Sequence, residues 1–236
     1  MTPTVISPAS PVELLHYMIT YQRYPTTLLI CSSDDEFRAA IAEELKGQIP
    51  EEQLQQEPDE FGEVIIDHPL AALPIFRRVV ARHLRVLFVP SVIHLRAILS
   101  VFSQADSPIP PPPEEDSENT KQGARPRPPS LFAYGFLELH RDSSEWSAQG
   151  LSSSASMFVA AARRSGFNPV MVEPKVAGGH ANFKHVLREH APILSGGARR
   201  DEGWQGRTVE VRRVLDRWFR FQTGQWDIKW PEDNAS

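Results

Sequence analysis

Apolar positions in the middle of the chain change their spacing twice, and they predict three successive elements. Residues 131–139 form an almost continuous apolar run of strand length, which is typical of a strand buried on both faces. After a polar turn at 140–145, apolar residues recur at three- and four-residue spacing over 151–162, as in an amphipathic helix that ends at Gly166. A short apolar strand follows at 170–172. This order predicts a βαβ unit with two parallel strands.

The first hundred or so residues repeat the alternation. Residues 1–11 are rich in proline and serine and are predicted to be a loose lead before a short helical stripe at 12–19. Ser33 and Glu36 have the spacing of a capping box. Strand-like and helix-like segments then alternate at 26–31, 37–45, 64–66, 70–83, 86–89 and 91–102. In total, five strands alternate with helices, which predicts a three-layer α/β domain with a mainly parallel sheet and helices on both faces.

Residues 106–130 interrupt this pattern with a proline run at 110–113 and an acidic cluster after it. Such a composition buries too little apolar area to offset the entropy of ordering, so we predict a disordered proline-rich surface insertion. A proline-rich ligand for a small adaptor domain is the alternative interpretation. The predicted organisation is one α/β core in two parts, 1–105 and 131–225, followed by a tail at 226–236.

The segment that closes the predicted core is ambiguous. Residues 208–221 place apolar side chains at helical spacing, yet they also fit paired strands. The high share of β-branched and aromatic residues favours strands. Before it, residues 175–200 hold two glycine pairs, three histidines and a short helix-like turn at 183–187.

Composition and charge narrow the class of protein. A chain of 236 residues with 41% hydrophobic content can bury one sizeable core. The net charge of −5 argues against a protein that coats nucleic acid over its whole surface, and it leaves room for a local basic patch. The single cysteine, Cys31, excludes an internal disulfide and is expected to be a buried small hydrophobe. No segment approaches the roughly 18 apolar residues of a membrane span, so we expect a soluble cytosolic or nuclear protein.

A phosphate-binding loop is missing where the pattern would place it. Such a loop needs glycines, a lysine and a serine or threonine after a buried strand. After the first predicted strand, residues 32–37 contain neither glycine nor lysine, and Asp34 and Asp35 would repel an anion from the following helix. We therefore do not expect nucleotide binding there, or any cofactor.

Asp67 and His68 are the best-placed polar pair, because they end a predicted strand and ligands of open α/β sheets bind at that edge. Acid–base chemistry by His68, oriented by Asp67, would make the protein a small hydrolase or transferase. The alternative is a helix cap at Asp67. His180, His185 and His190 are spaced by five and do not share a helical face, which argues against a metal site.

Positive charge and aromatic rings concentrate near the C-terminus. Arginines near aromatic rings can hold phosphates and stack on bases. Tryptophans can instead anchor a protein partner. The candidate DNA-binding residues are Arg199, Arg200, Arg207, Arg212 and Arg213, and the candidate partner-binding residues are Trp218, Trp226 and Trp230.

The segment 132–173 resembles the second half of a RecA-like recombinase core. It has a buried strand, Gln149-Gly150-Leu151-Ser152, an alanine-rich helix, Arg163-Arg164-Ser165-Gly166 and a closing strand. The resemblance implies that the buried strand corresponds to the one with the Walker B acid, for which Glu138 is the only candidate. It also implies that residues 175–207 correspond to a mobile DNA-binding loop and 208–221 to terminal strands.

Because the Walker A glycines and lysine are absent at 32–37, the chain is similar to ATPase-dead members of the family. These include recombinase paralogues such as the Shu-complex subunits, and the RecA-like subunits of Elongator. The resemblance implies a nuclear, non-catalytic subunit of a hetero-oligomer that acts in homologous recombination and DNA repair. Its partners would be another RecA-like subunit or a recombinase, and single-stranded or duplex DNA. A tRNA-modification scaffold subunit similar to those of Elongator is the alternative within the family.

Overall fold

The computed structural model describes residues 2–21, 24–48, 82–103, 105, 129–141, 143–175, 179–194 and 207–223. Its strands are β1 (Thr4–Ala9), β2 (Thr26–Ile30), β3 (Leu84–Phe88), β4 (Ser130–Tyr134), β5 (Asn168–Pro174), β6 (His190–Pro192), β7 (Thr208–Glu210) and β8 (Arg220–Gln222). Its helices are α1 (Pro11–Tyr21), α2 (Asp34–Gln48), α3 (Val92–Val101), α4 (Phe136–Arg141), α5 (Ala148–Arg164), α6 (Gly179–Arg188) and α7 (Val211–Leu215).

Six of these strands form one sheet in the order β3-β2-β4-β5-β1-β8, and every neighbouring pair in it is parallel. The remaining two, β6 and β7, form a separate antiparallel pair. The predicted βαβ unit is confirmed, because β4 and β5 are parallel neighbours joined through α4 and α5. Parallel neighbours require crossover connections, which bring helices onto the faces of the sheet.

Successive residues of the buried strands face opposite sides of the sheet, and each side has its own core. On one side, Leu28 and Ile30 pack in a cluster with apolar residues of α1 and α2. On the other side, Leu29 and Leu131 pack with residues of α3, α4, α5 and α7. The predicted α/β architecture, with a mainly parallel sheet and helices on both faces, is therefore confirmed for the part of the chain described.

The predicted loose lead is wrong for residues 4–9, which form β1 between β5 and β8. The segment has little apolar pattern, because Thr4 and Ser7 are buried beside Val5. Pro8 cannot donate to a ladder, and the register with β5 shifts between Ile6 and Ala9. The polar and proline content that suggested a loose segment thus belongs to an irregular central strand.

The predicted strand at 131–139 is too long. The strand β4 ends at Tyr134, Gly135 adopts φ 82°, and α4 begins at Phe136. Glycine reaches this left-handed conformation without the steric cost that a side chain would bring. The apolar run extends beyond β4 because Phe136 and Leu137 are buried on the first turn of α4. An apolar run alone does not distinguish a buried strand from a buried helix.

The predicted strands over 208–221 are correct only at the two ends, β7 and β8. Between them lies α7, whose Val211, Val214 and Leu215 are buried. The helical spacing of these apolar residues therefore outweighed the β-branched composition. The short helix predicted at 183–187 is confirmed as part of α6, and the predicted helix ending at Gly166 is confirmed as α5. The predictions for 64–66 and 70–81, and nearly all of the insertion at 106–130, lie outside the described residues.

Candidate functional site

The N-terminus of α1 follows the strand β1 at the edge where the parallel strands of the sheet end. Ligands of α/β sheets bind at this edge, and helix N-termini there attract anions. Here the carboxylate of Glu44, from α2, accepts the Val12 N–H at 3.1 Å and is hydrogen-bonded to the Ser10 hydroxyl. Ser10 and Glu13 add a capping box, with N–H to side-chain distances of 2.8 and 3.1 Å. Backbone donors of this helix start are thus bonded to the protein's own side chains.

Lys175, which follows β5, reinforces this arrangement. Its ammonium group lies 2.9 Å from Glu13 Oε1, and its backbone N–H donates to the Ala9 carbonyl at 3.0 Å. Burial of the Glu13 carboxyl opposes ionisation, but hydrogen bonds from Lys175 and Ser10 outweigh it and lower the pKa of Glu13. A phosphate placed at this helix start would therefore meet two carboxylates, Glu13 and Glu44.

A phosphate loop is expected after the first strand, which the sequence pattern places at 26–31. The structure has an earlier strand, β1, so the turn after the first strand is the one that leads into α1. At that later position, the start of α2, the predicted capping box is confirmed. Glu36 accepts from the Ser33 N–H at 2.9 Å and from its hydroxyl at 2.8 Å, and the Glu36 N–H donates back to Ser33 Oγ at 3.2 Å. The starts of α1 and α2 are thus capped by the chain's own carboxylates.

A second group of titratable residues is buried beneath the same edge. Glu173, at the end of β5, accepts the Leu137 N–H of α4 at 2.9 Å, and burial raises the pKa of this carboxyl to about 8. Burial and the nearby Glu173 likewise raise the pKa of the Cys31 thiol, and Cys31 is a buried residue as predicted. Tyr134 donates its hydroxyl to the Ala9 carbonyl at 3.0 Å. These contacts join β4, β5, α4 and the end of β1.

His140 and Ser154 form a Ser–His pair that the sequence did not predict. The His140 Nε2 and Ser154 Oγ atoms lie 2.9 Å apart, and Nδ1 lies 2.7 Å from the Phe136 carbonyl. Arg96 donates to Ser154 Oγ at 3.0 Å and pairs with Glu145 at 2.5 Å. Burial lowers the pKa of His140 to about 4, so the ring is neutral at pH 7, donates from Nδ1 and accepts at Nε2.

This Ser–His pair cannot reach a substrate in solution, because both side chains are 0% exposed. Its contacts instead connect α4, α5 and α3 through the Arg96 side chain. The arrangement is therefore structural. The sequence carries no local signal for it, because the two residues are fourteen positions apart and only the fold brings them together.

The described segment 207–223 is strongly basic, with five arginines against two carboxylates, in a chain whose net charge is −5. Of the predicted DNA-binding residues, Arg207, Arg212 and Arg213 are described and exposed. The Arg212 guanidinium lies 3.8 Å from an Asp216 oxygen and 5.6 Å from the centre of the Phe221 ring. Arg207 and Arg213 have no carboxylate partner among the described residues.

An open groove lies between α5 and the segment that holds β7 and α7. Its volume is about 730 Å³. Its lining consists of aliphatic, uncharged polar and arginine side chains from Ala148, Gln149, Ser152, Ser153, Ser156, Ile193, Val209, Arg213, Val214 and Arg217. Adjacent residues of α7 therefore have different surroundings, since Arg213 lines the groove and Arg212 packs over Phe221.

The predicted partner-binding residue Trp218 makes contacts inside the chain. Its indole N–H donates to Ser152 Oγ at 3.1 Å, and its ring packs against the core beneath α5. The indole thereby attaches the turn after α7 to α5. Trp226, Trp230, Arg199, Arg200, Asp67 and His68 lie outside the described residues.

Two features are absent from the described ranges. No cluster of three or more histidine, cysteine, aspartate or glutamate side chains there is arranged to hold a metal ion. Within the same ranges, no helix is both long and apolar enough to cross a membrane. Compared with known proteins, the chain matches no protein family, no curated protein and no solved structure.

Proposed function

We propose that the protein is a non-catalytic, RecA-like scaffold subunit of a hetero-oligomeric complex that acts in homologous recombination and DNA repair. In this role it contacts both DNA and partner subunits. The observation that carries the proposal is the start of α1, where the carboxylates of Glu44 and Glu13 take up the donors of the helix start. A RecA-like fold with this helix start retains its sheet and loops as a scaffold but does not hold a nucleotide phosphate.

Charge as well as hydrogen bonding disfavours a nucleotide phosphate at the start of α1. A phosphate needs free backbone N–H groups and a nearby cation. The Val12 N–H is already donated to Glu44, and the nearby cation, Lys175, is paired with Glu13 at 2.9 Å. Phosphate binding would have to separate both pairs and bring like charges together, which is unfavourable.

The arginines that follow β6 are the basis for proposing contact with nucleic acid. Arg207 and Arg212 are exposed in a segment with an excess of positive charge, within a protein that is acidic overall. Such a local excess attracts a polyanion, and the binding weakens with salt because counterions are released. Of the candidate arginines that the structure describes, Arg207 and Arg212 lie outside the groove lining.

Exposed aliphatic side chains support the scaffold role. On α3, Ile93 is 79% exposed and Val101 is 74% exposed, and Ala97 lies between them at the same four-residue spacing. This spacing places all three on one side of the helix. An apolar helix side of this kind is suited to contact with another protein chain.

The DNA-binding claim predicts a specific salt dependence. We expect the protein to bind a fluorescein-labelled single strand of deoxythymidine, with an affinity that falls as salt rises. Each arginine that contacts a phosphate should contribute about 0.7 to the slope of log K against log salt for a single strand. Replacing Arg207 and Arg212 together by glutamine should therefore lower that slope by about 1.4, measured by fluorescence anisotropy.

The matched control is Arg38→Gln, because Arg38 is an exposed arginine of α2 that pairs with Asp34 and is far along the chain from this segment. It should leave the slope unchanged. An unchanged slope in the Arg207 and Arg212 double variant would contradict the assignment of these residues. Tight binding of tRNA without binding of DNA would favour the tRNA-modification alternative instead.

A further inference from the structure

We propose that the groove between α5 and α7 is a docking site for a short, acidic amphipathic helix of a partner protein. The groove is defined by the ten lining residues given above. Its described lining combines aliphatic side chains with two arginines, one from α7 and one from the turn that follows it. An occupant that matches it needs one apolar face and carboxylates beside that face, as in other helix-in-groove complexes.

The charge of the groove lining determines which charge the bound peptide should carry. Arg213 of α7 and Arg217 of the turn after it line the groove, and none of the lining residues that the structure describes is an aspartate or a glutamate. Neither arginine has a carboxylate partner among the residues that the structure describes. Arginine is suited to interfaces because its planar guanidinium binds a carboxylate with two parallel hydrogen bonds. Two adjacent unpaired arginines are therefore complementary to two carboxylates on the occupant.

The floor favours a peptide over a nucleic acid. Ala148, Ile193, Val209 and Val214 supply aliphatic surface, and within the described ranges no aromatic side chain lines the groove. Proteins that bind single strands combine positive charge with aromatic rings on which bases stack. Aliphatic floors instead accept leucine- or isoleucine-like side chains of an amphipathic helix.

The groove has a definite length and is already formed. Its α5 wall runs from Ala148 to Ser156, which is about 12 Å at 1.5 Å per residue and matches about two turns of a bound helix. Gln149 fixes one rim, because its amide accepts from the Leu194 N–H at 3.0 Å and donates to the Leu194 carbonyl at 2.8 Å. The bond between Trp218 and Ser152 attaches the turn after α7 to this α5 wall. A preformed groove binds with little cost of ordering.

The groove can be probed directly. The native cysteine, Cys31, is buried, so Ser153→Cys would provide an accessible thiol on the groove wall for an environment-sensitive fluorophore. The probe is a synthetic peptide of about 16 residues, with leucines on one helical face and glutamates beside them. A twin peptide carries lysines in place of the glutamates. We expect the fluorescence of the labelled protein to change as the glutamate peptide is added and to reach a plateau. The lysine twin should bind at least tenfold more weakly.

Charge reversal makes the test specific. Arg213→Glu with Arg217→Glu should reverse the preference between the two peptides, and Arg212→Gln should leave it unchanged, because Arg212 lies outside the groove. All three side chains are exposed, so thermal unfolding should report intact folds. The proposal is overturned by no binding of the glutamate peptide up to about 1 mM, by equal binding of both peptides, or by a deoxythymidine strand that displaces the peptide.

The docking site stands apart from the recombination proposal. A chain that binds the glutamate peptide but no DNA would retain this inference and lose the DNA-binding assignment. A chain that binds DNA through Arg207 and Arg212 but not the peptide would do the opposite.

Discussion

Replacing Gly150 by alanine is expected to lower the free energy of unfolding by about 3 kcal/mol. A Cβ atom on Gly150 would lie 2.2 Å from the Glu145 carbonyl oxygen and 2.8 Å from Glu145 Oε2. The first contact is with backbone, which cannot rotate away. Relief would require movement of the turn that leads into α5.

That movement would disturb several bonds at once. Glu145 pairs with Arg96 at 2.5 Å, and the same Arg96 nitrogen donates to the Gly150 carbonyl at 3.1 Å. The Gly150 N–H is the donor to the Ser147 hydroxyl that caps α5, at 3.0 Å. Arg96 also holds Ser154, the partner of His140. The substitution should therefore weaken several of the hydrogen bonds that connect α3 with α5.

Gly47→Ala is the matched control, because a Cβ atom on Gly47, in α2, would meet nothing within 4 Å. Alanine in a helix is favoured over glycine by roughly 0.5–1 kcal/mol, so this variant should be as stable as the native protein or slightly more so. Chemical unfolding of both variants by circular dichroism makes the comparison. Equal stability of the two would mean that the turn at Glu145 is not packed against α5 in this way.

Replacing Glu173 by glutamine is expected to change how stability depends on pH. Glu173 is 5% exposed and accepts backbone N–H bonds from Leu137 and Glu138. Burial raises the pKa of its carboxyl from 4.5 to about 8. The folded protein thus keeps a proton that the unfolded chain has already released. The contribution of Glu173 to stability is complete below pH 4.5 and is lost as the pH rises through about 8.

The size of the effect follows from 1.36 kcal/mol per pH unit. Between about pH 5 and pH 8, the native protein should lose about 3.5 kcal/mol that the Glu173→Gln variant does not lose. The glutamine oxygen can still accept the hydrogen bond from the Leu137 N–H of α4. The two proteins therefore differ mainly in whether residue 173 can lose a proton. Urea unfolding at several pH values measures the difference between variant and native protein.

Glu43→Gln provides the control for this series, because Glu43 is exposed on α2 and pairs only loosely with Lys46, at 3.8 Å. Its unfolding at the same pH values shows what the loss of one exposed carboxylate does by itself. A Glu173→Gln difference that does not change with pH would mean that the Glu173 carboxyl is not sealed beneath α4.

Much of the fold could be predicted from periodicity. The strand and helix pattern around β2, α5 and β5 follows directly from apolar spacing, because these elements bury one or both faces regularly. The strand β1 could not be found this way, since its buried positions include Thr4 and Ser7 and a proline. The boundary at Gly135 was also hidden, because buried residues continue from β4 into α4 without a polar break.

The candidate sites were less accessible to sequence reasoning. The sequence shows directly that Arg213 lies in a basic segment, but only the fold reveals that it lines a groove while Arg212 does not. The carboxylate at the start of α1 comes from Glu44, more than thirty residues away in the sequence, and no local motif indicates it. Both features depend on contacts between residues far apart in the sequence. Such contacts leave no repeating pattern along the chain from which they could be predicted.

The most direct test of the proposed role is affinity purification of the tagged protein from its own cells at moderate salt, with the bound proteins and nucleic acid identified. We expect another RecA-like chain or a recombinase to co-purify with DNA that nuclease treatment removes. Recovery of the protein alone, as a monomer free of nucleic acid, would contradict the proposal that it is a scaffold subunit in homologous recombination.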